Sequence, residues 1–180
     1  MSTTMRPLTK DDGPQILAWR NDPAIASYMY TDHTITEDEH AGWLERMLSL
    51  DDRRGFVIEL DAKPVGAAYI TEIDPLHKHA VWAFYLADPS VRGRGVGSVV
   101  EAEILRIAFE ELELHKLSCE VLDFNMAVVK MHRKFGFVDE GLFKAHKWKN
   151  NEWHDVYRLA FFADTWRDTK DEIEAKVAPR

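Results

Sequence analysis

The stretch Asp88-Pro89-Ser90-Val91-Arg92-Gly93-Arg94-Gly95-Val96-Gly97-Ser98 separates an apolar strand-like run, residues 80–86, from a helix-like run, residues 99–112. Three glycines alternate with Arg92, Arg94 and Val96. Successive backbone N–H groups can therefore turn into one concavity with no side chain in the way. They also open a helix, whose N-terminal dipole favours an anion. The chemistry this implies is a pyrophosphate held by main chain. A Walker A loop is excluded, because no Lys follows Gly97. A dinucleotide fingerprint needs G-x-G-x-x-G, whereas these glycines fall at every second position. The plain alternative is a Gly-rich turn between a strand and a helix.

A second segment, Asn125-Met126-Ala127-Val128-Val129-Lys130-Met131-His132-Arg133-Lys134-Phe135-Gly136-Phe137, follows another strand-like run at 117–122. Taken in order, these two elements resemble the coenzyme A elements of the GNAT superfamily of N-acetyltransferases. In the first, Arg92, Gly95 and Gly97 carry the likeness. In the second, Asn125, Gly136 and Phe137 fall in register, the small residue is displaced to Ala127, and His132 stands where the superfamily has a tyrosine. The likeness covers residues 56–159.

That resemblance implies an α/β fold, the GNAT acyl-CoA N-acyltransferase fold, with a central twisted, mostly antiparallel sheet flanked by helices. It implies acetyl-CoA as co-substrate and direct acetyl transfer to a primary amine. Arg92, Gly93, Arg94, Gly95, Val96, Gly97 and Ser98 would hold the pyrophosphate. Backbone groups of Leu86 and Ala87 would pair with the pantetheine arm and polarise the thioester carbonyl. Asn125 would contact the arm from the other side, and a helix N-cap is an equally good account of it. His132 would protonate the departing thiolate, as an imidazole of ordinary pKa near about 6.5 can; the alternative is a partly exposed helical histidine with no role. No carboxylate occupies the strand at 80–86, where many relatives carry a base. Water, or Glu72, would take the amine's proton.

Length and composition agree with an enzyme of this kind. A chain of 180 residues reads as a single domain, 1–180, with a sizeable core. A net charge of −8 argues against a nucleic-acid-binding surface. The basic residues a coenzyme needs are local: Arg92, Arg94, Lys130, Arg133 and Lys134 lie in or beside the two motifs. The single cysteine, Cys119, forbids an internal disulfide and reads as a buried thiol in a strand. No membrane-length apolar run and no apolar signal core are present, so a cytoplasmic location and no membrane partner are expected. His77 and His79 have H-x-H spacing but no Cys or carboxylate pattern around them, so no metal is expected. A homodimer is compatible with the resemblance.

The remaining elements follow from periodicity and punctuation. A strand is expected at 5–8, then a helix opened by Pro14 and ended before Pro23. Thr36 and Glu39 have capping-box spacing and start a second helix bearing Trp43, Leu44, Met47 and Leu48. The connection at 22–35 is long enough to be functional. Strands are expected at 56–60, 65–73, 137–143 and 153–160, a helix at 126–135, a turn at 147–152 and a terminal helix at 162–177.

The N-terminal part carries a further likeness. Trp19-Arg20-Asn21-Asp22-Pro23, Tyr28-Met29, Ile35, His40 with Trp43, the run 121–125, His132 and Trp153-His154-Asp155-Val156-Tyr157 look like one subfamily. It is the UDP-4-amino-4,6-dideoxy-N-acetyl-β-L-altrosamine N-acetyltransferase of pseudaminic acid biosynthesis. The likeness implies a small-molecule amine on a nucleotide-sugar, bound by Arg20, Asn21, Tyr28, Met29 and Trp82. Arg20 and Asn21 suit phosphate or sugar oxygens, and the rings of Tyr28, Tyr30, Trp43 and Trp82 suit a sugar methyl or a base. Each residue has a plain alternative: Trp19 and Trp43 as core, Arg20 as a helix C-terminal cation. Ribosomal-protein and diamine acetyltransferases share a looser W-x-N-D-P start, and an acidic chain would suit a polyamine. The missing strand carboxylate keeps open a third class, a non-catalytic acetyl-CoA-binding regulatory domain.

Overall fold

The computed structural model describes residues 2–178. Among them, seven strands form one mixed sheet in the order β1-β2-β3-β4-β5-β7-β6. They are β1 (Thr3–Pro7), β2 (Arg54–Leu60), β3 (Lys63–Asp74), β4 (His79–Leu86), β5 (Lys116–Leu122), β6 (Val138–Lys149) and β7 (Glu152–Phe162). Every neighbouring pair is antiparallel except β4 and β5. The helices are α1 (Gly13–Asn21), α2 (Pro23–Ala26), α3 (Glu37–Ser49), α4 (Val96–Arg106), α5 (Met126–Phe135) and α6 (Ala163–Val177). This is the GNAT fold that the two coenzyme motifs imply.

The helices cover both faces. Val96, Val100, Ile104 and Leu105 of α4 pack with Val129 of α5, and Trp166 and Ile173 of α6, against Ile58, Ile70, Trp82 and Leu117. On the opposite face, Ile16 of α1 with Leu44 and Met47 of α3 covers Val57, Ala67 and Tyr85. Sheet residues alternate between these two cores, as a strand buried on both sides must.

Local chemistry sets the boundaries. Thr36 Oγ1 accepts from Glu39 N at 3.2 Å while the Glu39 carboxylate reaches back to Thr36 N at 2.8 Å, closing the expected capping box at the start of α3. Leu48, expected on the apolar stripe of that helix, is 44% exposed. The connection at 22–35 contains α2, whose start is capped by Asp22 through Ala24 N at 2.8 Å. The helix after the glycine loop starts three residues earlier than its apolar pattern indicates and passes into a π-helical turn, Ile107–Glu111. The expected turn at 147–152 narrows to Asn150 and Asn151, at φ +54° and +61°. Both lie in the left-handed region that a tight hairpin demands and asparagine tolerates. Strand β6 runs six residues past Phe143. Its lysines and its irregular register between Phe143 and Lys147 hide the strand pattern, as is common at a sheet edge.

Candidate active site

The parallel pair β4 and β5 is joined at only three positions: His79 with Lys116, Ala80 with Leu117, and Val81 with Ser118. Beyond Val81 the strands part, and a cavity of about 670 Å³ opens between them. A crevice at the carboxyl ends of parallel strands is where open α/β sheets bind ligands. This one crosses the sheet. The glycine loop, Trp82 and the α5 residues Met131 and His132 line it on one face. Ile25, Tyr28, Tyr85 and Glu120 line it on the other.

The glycine loop lines the cleft with Arg92, Gly93, Gly95, Val96, Gly97 and Ser98. The Asp88 carboxylate accepts from Ser90 N at 2.8 Å and fixes the entry turn, Pro89–Val91. Gly93 and Gly95 have φ of +74° and +82°, which turns the chain into α4. Gly97 differs: its φ is ordinary, and a Cβ there would meet Met131 Sδ and Phe84 Cζ at 3.6 Å, normal contacts. The protein itself therefore does not require glycine at 97, and the bare Cα there leaves room for a close approach from the cleft. The N–H groups of Val96 and Gly97 belong to the first turn of α4, where no carbonyl of the helix can accept them. These residues fit the pyrophosphate of a coenzyme.

Of the strand residues expected beside the pantetheine arm, Leu86 lines the cleft. Ala87 does not: its N–H donates to Val65 O at 2.7 Å, so the donor expected of it is taken by β3. Asn125 lines the cleft just before α5 and makes no side-chain capping bond, so the N-cap account does not hold for its amide.

His132 is 3% exposed, not the partly exposed histidine that the plain reading requires. Its Nδ1 lies 2.7 Å from Oε1 of Glu101, a wholly buried carboxylate on α4. Burial pushes the Glu101 carboxyl up, against the opposing pull of His132. Trp82 packs across His132 at 5.3 Å and is 1% exposed. Expected as an acceptor contact, Trp82 instead forms the buried floor that holds the imidazole. Glu101 escaped the sequence reading because it sits on the apolar face of an amphipathic helix, one position after Val100; an ionisable residue at a core position was the available signal.

On the acceptor face, Tyr28 is 45% exposed and packs against Phe124 at 6.0 Å, with Met29 half-buried behind it. Tyr30 O–H donates to Glu120 Oε2 at 2.8 Å, and Arg158 donates to Glu120 Oε1 at 2.8 Å. Tyr30, one of the rings offered for a sugar methyl or a base, is thus tied by its hydroxyl to Glu120, which was not among the expected contacts. Arg20 and Asn21 lie outside the cleft. The Asn21 amide is clamped by Ile35, donating to its carbonyl at 2.9 Å and accepting from its N–H at 2.8 Å. Both polar ends are used, so Asn21 orders the 22–35 connection rather than presenting an amide to a ligand. The Arg20 guanidinium lies over the Trp43 ring, 5.1 Å from its centroid. Glu72, the carboxylate considered as a base, is exposed and lies in the irregular end of β3, away from the cleft. His77 and His79 stack on each other at 6.2 Å, and the described residues hold no group of three or more metal-ligating side chains. No helix among the described residues is long and apolar enough to cross a membrane.

Comparison with known proteins agrees with this geometry. The family model for the acetyltransferase (GNAT) domain matches residues 3–138. A spermidine N(1)-acetyltransferase of Escherichia coli strain K12 is 23% identical over 161 residues, covering 89% of this chain and 86% of its own. The acetyltransferase PseH of Campylobacter jejuni strain 81-176 is 28% identical over 122 residues, covering 68% of this chain and 74% of its own. Among solved structures, a spermidine N-acetyltransferase from Vibrio cholerae in complex with CoA and spermine superposes with a TM-score of 0.85 at 25% identity, covering 92% of this chain and 98% of that one.

Proposed function

The chain belongs to the GNAT acetyltransferase family and is an N-acetyltransferase that uses acetyl-CoA, and from that premise we propose that its acceptor is the amino group of a nucleotide-linked dideoxy amino sugar, of the UDP-4-amino-4,6-dideoxy-N-acetyl-β-L-altrosamine kind. The observation that carries this reading is the acceptor wall. Ile25, Tyr28, Met29 and Tyr85 give it an apolar and aromatic surface. Its one carboxylate, Glu120, has both oxygens occupied by Tyr30 and Arg158. Such a wall suits a methyl-bearing ring and a stacked base. A linear polycation needs carboxylates whose charge is not already matched.

Placement supports the following residue roles. The N-terminus of α4, with Gly93, Gly95, Val96, Gly97 and Ser98, holds the pyrophosphate, and Arg92 and Arg94 flank it. Backbone groups alternate sides along a strand, so with Ala87 N–H turned to Val65, those of Leu86 face the cleft and hold the pantetheine arm. Asn125 closes on the arm from α5. When bound, acetyl-CoA supplies an activated acyl group and a thiolate leaving group. The splayed strands bring the neutral amine to that acyl group from the opposite face, and such positioning is worth roughly 7–11 kcal/mol. His132 Nε2 gives its proton to the leaving sulfur. Among the described residues that line the cleft there is no unpaired carboxylate, so the amine's proton leaves through water.

A polyamine acceptor is the second reading, favoured by the likeness to spermidine acetyltransferases over most of the chain. Coenzyme release with a thiol reagent separates the two. The UDP-amino sugar, spermidine and a set of amino acids are offered as acceptors with acetyl-CoA. Release dependent on the amino sugar, with kcat/KM at least tenfold above spermidine, is the expected result. A preference for spermidine overturns the sugar reading.

A further inference from the structure

The geometry points to Glu101 as the positioning residue for the transfer step: its buried carboxylate holds His132 by Nδ1 so that Nε2 is the nitrogen presented to the cleft. This rests on the reading of His132 as proton donor and extends it to a residue on a different helix.

A carboxylate in an apolar core costs several kcal/mol unless it is partnered. Glu101 is fully buried, on a helix whose Val100, Ala102, Ile104 and Leu105 are buried with it. Its one hydrogen bond among the described residues is to His132, and Oε2 has no partner. Among the described residues no Arg or Lys reaches it, and its one ionisable partner is the His132 ring. His132 likewise spends its Nδ1 on Glu101 while lining the cavity. Two ionisable groups have thus been brought out of water to meet each other beside the glycine loop. A helix could satisfy its core at this position with any aliphatic residue. The other titratable group that feels Glu101 is the Cys119 thiol of β5, which burial holds in its neutral form.

The pair is suited to carrying one movable proton. With two protons between Glu101 and His132, one lies in the Glu101–Nδ1 contact and the other is on Nε2, whichever of the two partners formally owns the shared proton. Donation breaks the Nε2–H bond and forms the S–H bond of coenzyme A. Nδ1–H is then left donating to an ionised Glu101. The acceptor amine releases one proton when its N–C bond forms, and solvent returns one to Nε2, so the cycle balances. A carboxylate that fixes an imidazole by one nitrogen and supports the charge on it is a general way to make a histidine an effective proton-transfer group.

Glu101→Gln tests this, because it keeps the shape and removes the titrating oxygen. In the protein without ligand, the His132 imidazole is titrated by ¹⁵N and ¹³C NMR. The expected result is a titration that differs from that of the wild type, since the carboxylate partner of Nδ1 is gone. In turnover, kcat is expected to fall at least tenfold, within the roughly 10²–10⁴-fold that a general acid supplies. The Kd of acetyl-CoA should stay within about twofold. In a His132→Tyr background, Glu101→Gln should cost nothing further, because a phenol needs no carboxylate to orient it. An unchanged His132 titration, or an equal kcat loss in the tyrosine background, overturns the inference. Should His132→Ala lower kcat while Glu101→Gln does not, this inference falls and the His132 role stands. Near-normal kcat in His132→Ala overturns both.

Discussion

Lys149 Nζ lies 3.0 Å from Thr31 O and 3.1 Å from Ala26 O, which ties the tip of the β6–β7 hairpin to the loop bearing Tyr28, Met29 and Tyr30. The lysine is 3% exposed, and Asp32 Oδ1, 3.8 Å away, balances its charge. Asn150 N donates to Asp32 Oδ2 at 3.2 Å and closes the same junction. Tyr28 and Met29 pack on Phe124 and on the α1–α3 core, and this buried ammonium fixes the loop between them and the hairpin. Lys149→Met keeps most of the side-chain volume and removes three donors. It is expected to raise KM for the acceptor roughly tenfold, the equivalent of about 1.4 kcal/mol, and to leave the Kd of acetyl-CoA unchanged. Steady-state kinetics with calorimetry checks it. A loss of acetyl-CoA affinity instead would mean that the hairpin supports the coenzyme side.

Gly95 and Gly97 separate two reasons for glycine. A Cβ on Gly95 meets nothing within 4 Å, so its cost is the left-handed φ alone, about 1–2 kcal/mol. Gly97 has ordinary helical geometry, where alanine is better than glycine by about 0.5–1 kcal/mol. Gly95→Ala should therefore lower Tm and weaken acetyl-CoA binding together. Gly97→Ala should raise Tm slightly and still weaken binding. Calorimetry and thermal melts on the two variants read this directly, and unchanged affinity in Gly97→Ala would remove the ligand-approach argument.

His40 makes stability depend on pH. Its Nε2 donates to Gly13 O at 2.8 Å, its ring stacks on Trp43, and burial pushes its pKa below the ordinary histidine range. The unfolded chain therefore binds a proton at a pH where the folded chain does not. Stability from this site is complete above the ordinary value of about 6.5 and is lost as pH falls below it, with a slope of up to about 1.4 kcal/mol per pH unit. Urea denaturation at pH 7.5 and pH 5.5 should show a larger drop for the wild type than for His40→Gln. Equal drops would show that His40 does not titrate on unfolding.

Cys119 is 2% exposed, and burial pushes its thiol well above its usual pKa. It should not react with a disulfide reagent in the native protein and should react stoichiometrically in guanidinium. That makes coenzyme A the one thiol read in a release assay. Rapid modification of native protein would place Cys119 on an opening segment of β5.

The two coenzyme elements were legible from sequence because they are local: glycines at fixed offsets and a strand on one side are visible in one dimension. The acceptor side was less so. Asn21 reads as a free amide near the end of a helix, and only the fold brings Ile35 to both of its ends. Trp82 reads as an available ring, yet burial on both faces of β4 makes it floor. Glu101 and His132 are 31 residues apart on separate helices, and no spacing rule connects them. Glu120, Tyr30, Arg158 and Lys149 meet only because the strands splay and the last hairpin folds back over the α2 loop. Contacts made by topology leave no mark on the local pattern.

Arg158 offers the sharpest test of which acceptor the cleft prefers. Its Nη1 and the Tyr30 hydroxyl take one oxygen each of Glu120, so the one carboxylate among the described residues lining the cleft is presented already neutralised. Burial and the neighbouring carboxylate push the Tyr30 phenol far up, so it stays a donor throughout the working range. Arg158→Leu removes the cation and leaves the carboxylate in place. A diphosphate-bearing acceptor should then meet an uncompensated negative charge and bind less well, while a polyamine should gain a partner. The expected outcome is a rise of roughly tenfold in KM for the UDP-amino sugar with a fall of similar size for spermidine, about 1.4 kcal/mol in each direction. Glu120→Gln in the same background should return spermidine to its weak starting value, because the charge that attracted it is gone. If the two acceptors respond alike to Arg158→Leu, the neutralised carboxylate does not set acceptor preference, and the argument from the acceptor wall fails with it.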